Sequence, residues 1–314
     1  MPKMVDDSEL ALSKLRSELT GQDGFTQEEL EYLRLSYEEP ERTNAGGVCK
    51  VGDVWTLGKH RLMCGSSLDR TSVAKLMNGC GAALVVTDPP YGVSFVRGQF
   101  ISDPKRKFSG DVPLGIIGDE RKGQEQADFI TEVFKIAGEH CLPGSSIYMF
   151  SASMREGVFS MLGLADAGVH LQSQLIWVKN CMVMGQADYQ WRHEVVWYGW
   201  FDNGTHRWFG GRTLTTVLDC RKLSSTYHPN EKPVELVEGM ICNSSKPGEI
   251  CYEPFVGSGT ALIACERTRR VCYGMEIDPH FCDVALQRWA DYTRSDPTRQ
   301  DGVGLGVLKG TARG

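Results

Sequence analysis

The sequence predicts an α/β protein built around a doubly wound, mostly parallel sheet, and three observations carry that prediction. From Val51 onward, short apolar runs of strand length alternate with runs of helical period. One strand pattern, Ile250-Cys251-Tyr252-Glu253, passes through Pro254-Phe255-Val256-Gly257-Ser258-Gly259-Thr260 straight into a helical pattern. The next strand pattern closes on an acid, Glu276, nineteen residues after Gly257. An acid at that place suits two ribose hydroxyls.

Taken in order, Leu10, Leu12, Leu15 and Leu19 fall at roughly helical spacing, and Thr26 with Glu29 has the spacing of a capping box ahead of Leu30, Leu33 and Leu35. Pro40 to Gly47 reads as a linker. Residues 1–47 are thus expected to form an acidic helical extension and linker, either a hairpin that docks or makes a homodimer, or a solvated appendage. Val54–Leu57 and His60–Cys64 flank Gly58-Lys59, which suits a type II′ hairpin turn. Further strands are expected at Ala83–Thr87, Ser146–Ser151, Leu171–Val178, Val195–Trp200, Ile250–Glu253 and Val271–Glu276. Helices are expected around 124–139, 153–167, 233–243, 260–267 and 279–293. The main domain then covers 48–294, and the Gly-rich, polar tail 295–314 reads as flexible.

Composition narrows the function. With 41 % apolar and 24 % charged residues, the 314-residue chain has the material for a large core. No apolar stretch approaches the roughly 20 residues needed to span a bilayer, and the acidic N-terminus lacks a signal-peptide pattern. A soluble, cytoplasmic protein with no membrane partner is expected. Residues 1–45 hold 5 Lys/Arg and 11 Asp/Glu, the whole of the net charge of −6, so the remaining 269 residues are neutral and free to carry local basic patches. None of the eleven cysteines forms a C-x-x-C pair. They read as buried thiols, and no metal is expected.

Two motifs carry chemistry. The glycine turn lets a ligand approach the backbone at a helix N-terminus. It lacks the Gly-Lys-Ser/Thr of a phosphate loop and a third glycine, so with Glu276 it points to a nucleoside-containing ligand without a pyrophosphate. The second motif, Thr87-Asp88-Pro89-Pro90-Tyr91-Gly92, follows the apolar strand Ala83–Val86. Two prolines remove backbone donors and leave carbonyl acceptors beside them. An Asp carboxylate, a Pro carbonyl and a Tyr ring together suit a planar exocyclic amino group, with both N–H groups held and the ring clamped.

Asp88-Pro89-Pro90-Tyr91 and Pro254 to Thr260 resemble the catalytic and cofactor motifs of the S-adenosylmethionine-dependent amino-group DNA methyltransferases, in the permuted order of the beta group. His228-Pro229-Asn230-Glu231-Lys232-Pro233 resembles that family's HPxxKP box, Gln174 to Lys179 its strand ending in W-x-K, and Arg192-His193-Glu194 its His-Glu strand opening. Gly52 to Gly65 is similar to its lead-in hairpin. The resemblance covers about 50–290. It implies a Rossmann-like methyltransferase fold with a seven-stranded sheet, S-adenosylmethionine as cofactor, and a bacterial or phage-encoded enzyme. Asp88, Pro89, Pro90 and Tyr91 would hold the target base. Phe255, Gly257, Ser258, Gly259, Thr260, Glu276 and Asp278 would line the cofactor, with His228 and Lys232 near its carboxylate. Two positions depart from the family pattern. Glu253 replaces the usual Asp, lengthening a cofactor contact by one methylene. Ser66 replaces another Asp, with Asp69 as a substitute acceptor for the cofactor adenine.

Two segments are expected to meet DNA. Residues 92–118 are a long aperiodic connection with Arg97, Lys105, Arg106 and Lys107, suited to phosphates. Residues 202–226 hold His206, Arg207, Trp208, Arg212, Arg221 and Lys222 where the family places its small target-recognition insertion; Arg207 and Arg212 would read bases, while Trp208-Phe209 serves equally as core. His193, with Glu194 beside it, reads as a structural partner rather than a general base. The resemblance implies methyl transfer to the 6-amino group of adenine in double-stranded DNA, with the base flipped out. The alternatives are the 4-amino group of cytosine and a non-catalytic DNA-binding partner of the same fold.

Overall fold

Hydrophobic residues alternate along the strands, so a single sheet carries a core on each face. In the central strand, Leu84 and Val86 face one cluster and Val85 the other, as the twofold period of a strand requires. The computed structural model describes residues 47–92, 119–183, 188–220 and 231–311. The leucine-patterned extension, the loop bearing Arg97, Lys105, Arg106 and Lys107, and the segment with Arg221, Lys222 and His228 lie outside the described residues.

The elements run β1 (Val54–Leu57), β2 (His60–Cys64), α1 (Arg70–Met77), β3 (Ala82–Thr87), α2 (Gln124–Glu139), β4 (Cys141–Ser151), α3 (Met154–Asp166), β5 (Val169–Val183), β6 (Trp191–Phe201) and β7 (Val217–Asp219). They continue as α4 (Val234–Ser244), β8 (Ile250–Glu253), α5 (Thr260–Thr268), β9 (Val271–Glu276), α6 (Pro279–Thr293), β10 (Thr298–Arg299) and α7 (Leu305–Thr311). Each strand and helix expected within the main domain is present. The helix α1 and the short strand β7 are additions.

The strand order is β10-β1-β2-β9-β8-β3-β4-β6-β5-β7. Ladders β2–β9, β9–β8, β8–β3, β3–β4 and β5–β7 are parallel; β10–β1, β1–β2, β4–β6 and β6–β5 are antiparallel. Helices α4, α5 and α6 contribute to one core, whose largest members include Trp55, Trp177 and Tyr148. Helices α1, α2 and α3 contribute to the other, around Phe134, Ile130 and Met149. The sheet is doubly wound, as expected.

Two expectations need correction. The sheet has ten strands, not seven. The central run from β2 to β5 in the strand order accounts for seven, while β1 and β10 extend one edge and β7 the other. The tail is not loose: β10 pairs with β1, and Leu305 opens α7 while 2 % exposed in the core. Glycine and polar content hid the apolar anchors Leu305 and Leu308.

Local chemistry explains the boundaries. Gly58 adopts φ +60 between β1 and β2 and Lys59 does not enter the left-handed region, as a type II′ turn demands. Asp69 caps α1 by accepting from Thr71 N, and Asp278 caps α6 by accepting from His280 N, with Pro279 in the first helical turn. Among the described cysteines none is disulfide-bonded, and Cys251, Cys265 and Cys272 are buried in the sheet and α5. Among the described residues no helix is long and apolar enough to cross a membrane.

The β5–β6 ladder contains a bulge between Leu171 and Ser173, opposite Gly199. A Cβ at Gly199 would lie 2.2 Å from the His170 carbonyl oxygen, so backbone rather than side chain would have to move. Gly199→Ala is expected to destabilise the fold by about 1–3 kcal/mol, the range for overpacking. Urea unfolding measures it, and an unchanged midpoint would contradict this account of the bulge.

Candidate active site

Chain order reverses its direction across the sheet between β8 and β3: β9 lies on one side of β8 and β4 on the opposite side of β3. Ligands of open α/β sheets bind in the crevice beyond the carboxyl ends of strands at such a switch point. Both motifs lie there. Asp88 follows β3 and Pro254 follows β8, and Thr87 Oγ1 donates to Glu253 Oε1 at 2.5 Å across the pair. The same oxygen accepts from Phe255 N at 3.0 Å.

Glu253 is therefore turned inward, 5 % exposed. Burial pushes its carboxyl well above the ordinary range, against the opposing hydrogen bonds from Thr87 and Phe255. Its Oε1 ties the two motifs together.

The glycine turn is shaped by backbone. Gly257 has φ +53 and Gly259 φ +88, conformations that side chains rarely adopt. A Cβ at Gly257 would have no atom within 4 Å, so the turn borders open space. Helix α5 begins at Thr260 with Gly259 as a cap that supplies no side-chain hydrogen bond, leaving the helix N-terminus available to an anion. Ser258 is buried, and the guanidinium of Arg288 in α6 donates to its carbonyl at 3.2 Å and to its hydroxyl at 3.4 Å. It also meets Thr260 Oγ1 at 3.4 Å. Arg288 went unread in the sequence, where nothing sets an arginine in a helical pattern apart from a solvated one. Phe255 packs against Phe129, with centroids 5.8 Å apart.

Glu276 ends β9 with its carboxylate 2.8 Å from Gly257 N and 2.9 Å from Asp278 N. Burial raises its pKa to about 7 while these N–H groups oppose the shift. Two accepted bonds leave about two of a carboxylate's four lone-pair sites for hydroxyls. Asp278 spends its own Oδ1 on the α6 cap, and Asp69, the substitute acceptor for Ser66, is engaged by Thr71 N and Ser72 Oγ.

Around the second motif the side chains form a connected set. Tyr91 donates its hydroxyl to Asp88 Oδ1 at 2.5 Å, and Lys232 Nζ lies 2.6 Å from Asp88 Oδ2 and 3.1 Å from Glu194 Oε2. Glu194 Oε1 meets Lys179 Nζ at 2.6 Å. Lys232 Nζ also sits over the Phe150 and Tyr91 rings, 5.1 and 5.6 Å from their centroids. Burial alone would raise Glu194, yet Lys232 and Lys179 outweigh it and bring the carboxyl down to about 2. Burial would lower Lys232, but Asp88 and Glu194 raise it. The Tyr91 phenol is pushed well above its ordinary value by burial and by both carboxylates, so it stays a donor. The Pro90 carbonyl accepts from Gln126 Nε2 at 2.8 Å.

Lys232, expected beside a cofactor carboxylate, pairs with Asp88 and Glu194. Lys179 and Glu194, which the sequence offered only as parts of the W-x-K ending and the His-Glu opening of two strands, meet in the same cluster. Arg207 is also placed differently from expectation. Its guanidinium pairs with Glu249 and its carbonyl accepts from Ser146 Oγ at 2.9 Å. Glu249 precedes β8 at the end opposite Glu253, roughly 13 Å away at about 3.3 Å per residue, so Arg207 holds the far end of the sheet. His206 stacks on Trp200 and Trp208 packs on Tyr198, with centroids 4.6 and 5.9 Å apart. Arg212 is exposed.

Comparison with known proteins agrees with this geometry. The profile of the N6/N4 DNA methylases matches residues 191–287. The type II methyltransferase M.HpaI of Haemophilus parainfluenzae is 41 % identical over 256 residues, 73 % of each chain. The type II methyltransferase M.Cfr9I of Citrobacter freundii is 31 % identical over 138 residues, 40 % of this chain and 46 % of its own length, so the match spans about half of that relative. The crystal structure of an M1.HpyAVI–SAM complex superposes with a TM-score of 0.52 at 18 % identity, covering 72 % of this chain and 98 % of that one. The doubly wound sheet and its paired motifs are those of an amino-group methyltransferase. The chain belongs to the N6/N4 DNA methylase family.

If Glu253 is neutral, an isosteric amide should replace it cheaply. Glu253→Gln is expected to shift stability at pH 7 by no more than roughly 0.5 kcal/mol, whereas Thr87→Val should cost about 0.5–1.5 kcal/mol by removing one of the two hydrogen bonds that Glu253 Oε1 accepts. Denaturant titration of both variants compares them; the reverse order would assign Glu253 a charge.

Proposed function

We propose that this chain is a site-specific DNA adenine methyltransferase that uses S-adenosylmethionine and works on a base rotated out of the duplex. The observation that carries the reading is the Thr87–Glu253 contact, which sets the amino-group acceptor Asp88 beside the glycine turn. Asp at the first position of the motif supports adenine, since resembling enzymes that modify cytosine more often carry Ser there.

The residues fit the cofactor. Gly257, Ser258, Gly259 and Thr260 with the α5 N-terminus would hold its methionine end, Phe255 would cover it, and Glu276 would accept its ribose hydroxyls. Asp278 would act through the α6 cap, and His228 would lie near the cofactor carboxylate. The cofactor supplies an electrophilic methyl group on a sulfonium. Asp88 and the Pro89 carbonyl accept the amino hydrogens, and the Tyr91 ring stacks on the base. Holding both N–H groups turns the nitrogen lone pair toward the methyl group. Asp88 would accept the proton that the amino nitrogen sheds on methylation and pass it to solvent. Alignment and charge placement supply most of the acceleration. Flipping costs roughly a few kcal/mol. Lys105, Arg106 and Lys107 would contact phosphates, and Arg212 would reach base edges in place of Arg207.

Nucleoside analysis of DNA treated with labelled cofactor tests the reaction. N6-methyldeoxyadenosine is expected, and Asp88→Ala should abolish it while DNA affinity persists. Labelled N4-methyldeoxycytidine would instead assign the cytosine activity.

Cofactor binding should also depend on pH. The Glu276 carboxylate accepts hydroxyls best when ionised, and its pKa is about 7. Affinity should therefore rise with pH, by about tenfold between pH 6 and pH 8 for one such group. Calorimetry should find this slope in the wild type and a flat profile in Glu276→Gln. A flat wild-type profile would move the ribose elsewhere.

A further inference from the structure

Both carboxylate oxygens of Asp88 already have donors. Oδ1 accepts the Tyr91 hydroxyl at 2.5 Å and Oδ2 faces Lys232 Nζ at 2.6 Å. Each oxygen keeps a second lone pair, but a substrate amino group that takes Oδ1 competes there with the Tyr91 hydroxyl, and one that takes Oδ2 competes with Lys232. Lys232 cannot leave: it is 8 % exposed, shared with Glu194 and enclosed by two rings, so withdrawal would strand a buried charge. Tyr91 has one proton and two acceptors in view, Asp88 Oδ1 and, at 3.5 Å, Glu194 Oε2.

We propose that Glu194 is a positioning residue for methyl transfer, taking over the Tyr91 hydroxyl when the substrate amino group claims Asp88 Oδ1. No covalent bond changes in this step; one O–H···O hydrogen bond moves from Asp88 to Glu194 and one N–H···O bond replaces it. The ring of Tyr91 then stays anchored while its former acceptor is freed. Lys179 and Lys232 hold Glu194 from either side, and register holds it too, since Glu194 is paired with Trp177 in the β5–β6 ladder. Held as an anion by the two lysines, Glu194 accepts the phenol at any pH at which the enzyme would work. The cluster is electrically balanced, with two ammonium groups against two carboxylates. Losing the hydroxyl to Glu194 therefore changes no net charge near the base.

This inference rests on Asp88 being the amino-group acceptor, so Asp88→Ala is assayed first; full activity in that variant would overturn the underlying reading whatever Glu194 does. The test itself is a double-mutant cycle between Glu194→Gln and Tyr91→Phe, read as single-turnover methyl transfer on whichever base the wild type modifies. With Tyr91 present, Glu194→Gln should slow methyl transfer by about tenfold, the worth of one hydrogen bond, with cofactor and DNA affinities kept within about twofold. In the Tyr91→Phe background there is no hydroxyl to receive, and the same change should cost less than about twofold. Equal losses in both backgrounds, or no loss with Tyr91 present, would overturn the proposal, because a merely structural role is indifferent to the phenol. Should Glu194→Gln fail to fold, Glu194→Asp replaces it in the same cycle. It keeps the charge for both lysines and draws the acceptor back from Tyr91 by one methylene, and the same two outcomes decide.

Discussion

One buried ammonium constrains the whole pocket. Lys232 Nζ sits between Asp88 and Glu194 and over two aromatic rings. Taking such ions out of water costs several kcal/mol each, offset only by close partners in good geometry. Three pieces of chain are thereby forced to meet: the turn after β3, the middle of the β5–β6 ladder, and the residues that lead into α4. Each supplies a charge that the others need. Loss of any one unbalances the two ammonium groups and two carboxylates, while the ion pairs that remain still tie the other pieces together.

The glycine-turn side is organised by backbone instead. Left-handed glycines, the uncapped start of α5 and two N–H groups on Glu276 form a surface with few side chains. Arg288 braces it from behind through Ser258 and Thr260. A turn held by its own amides tolerates close approach of a ligand, because nothing has to be pushed aside. The Asp88 side and the glycine-turn side thus use opposite means, side-chain charge on one and bare backbone on the other. Glu253 joins them at one carboxyl oxygen.

Legibility followed the same division. Features that depend on local pattern could be read directly: the strand Ile250–Glu253 and its glycine turn, the helix starting at Thr260, the acid Glu276, and the hairpin turn at Gly58. Features set by tertiary partners could not. Lys232 was visible as part of a motif, yet its partner is 144 residues away in sequence, and no local rule says which carboxylate it meets. Arg207 looked like a reader of bases because it stands among aromatic residues in a polar stretch; Glu249 claims it instead. The loose-tail expectation failed for a related reason, since two leucines of α7, Leu305 and Leu308, dock it on the core. The helix α1 escaped notice because it is short, with only Val73, Leu76 and Met77 buried.

The junction of β3 with β8 bears on how the molecule comes into being. These two strands lie side by side at the centre of the sheet, yet Thr87 and Glu253 are 166 residues apart in the chain. Closing so long a loop is entropically costly and slow relative to local contacts. During synthesis the hairpin, β3, β4 and the β5–β6 ladder emerge first, and the inner edge of β3 waits for β8. Until β8 arrives, that edge exposes unpaired backbone groups and buried-type side chains of an all-apolar strand, the kind of surface that recruits a foreign strand. The halves of the pocket therefore acquire their meaning together and late, and a nascent chain can neither hold its cofactor nor touch DNA productively until its last third has left the ribosome.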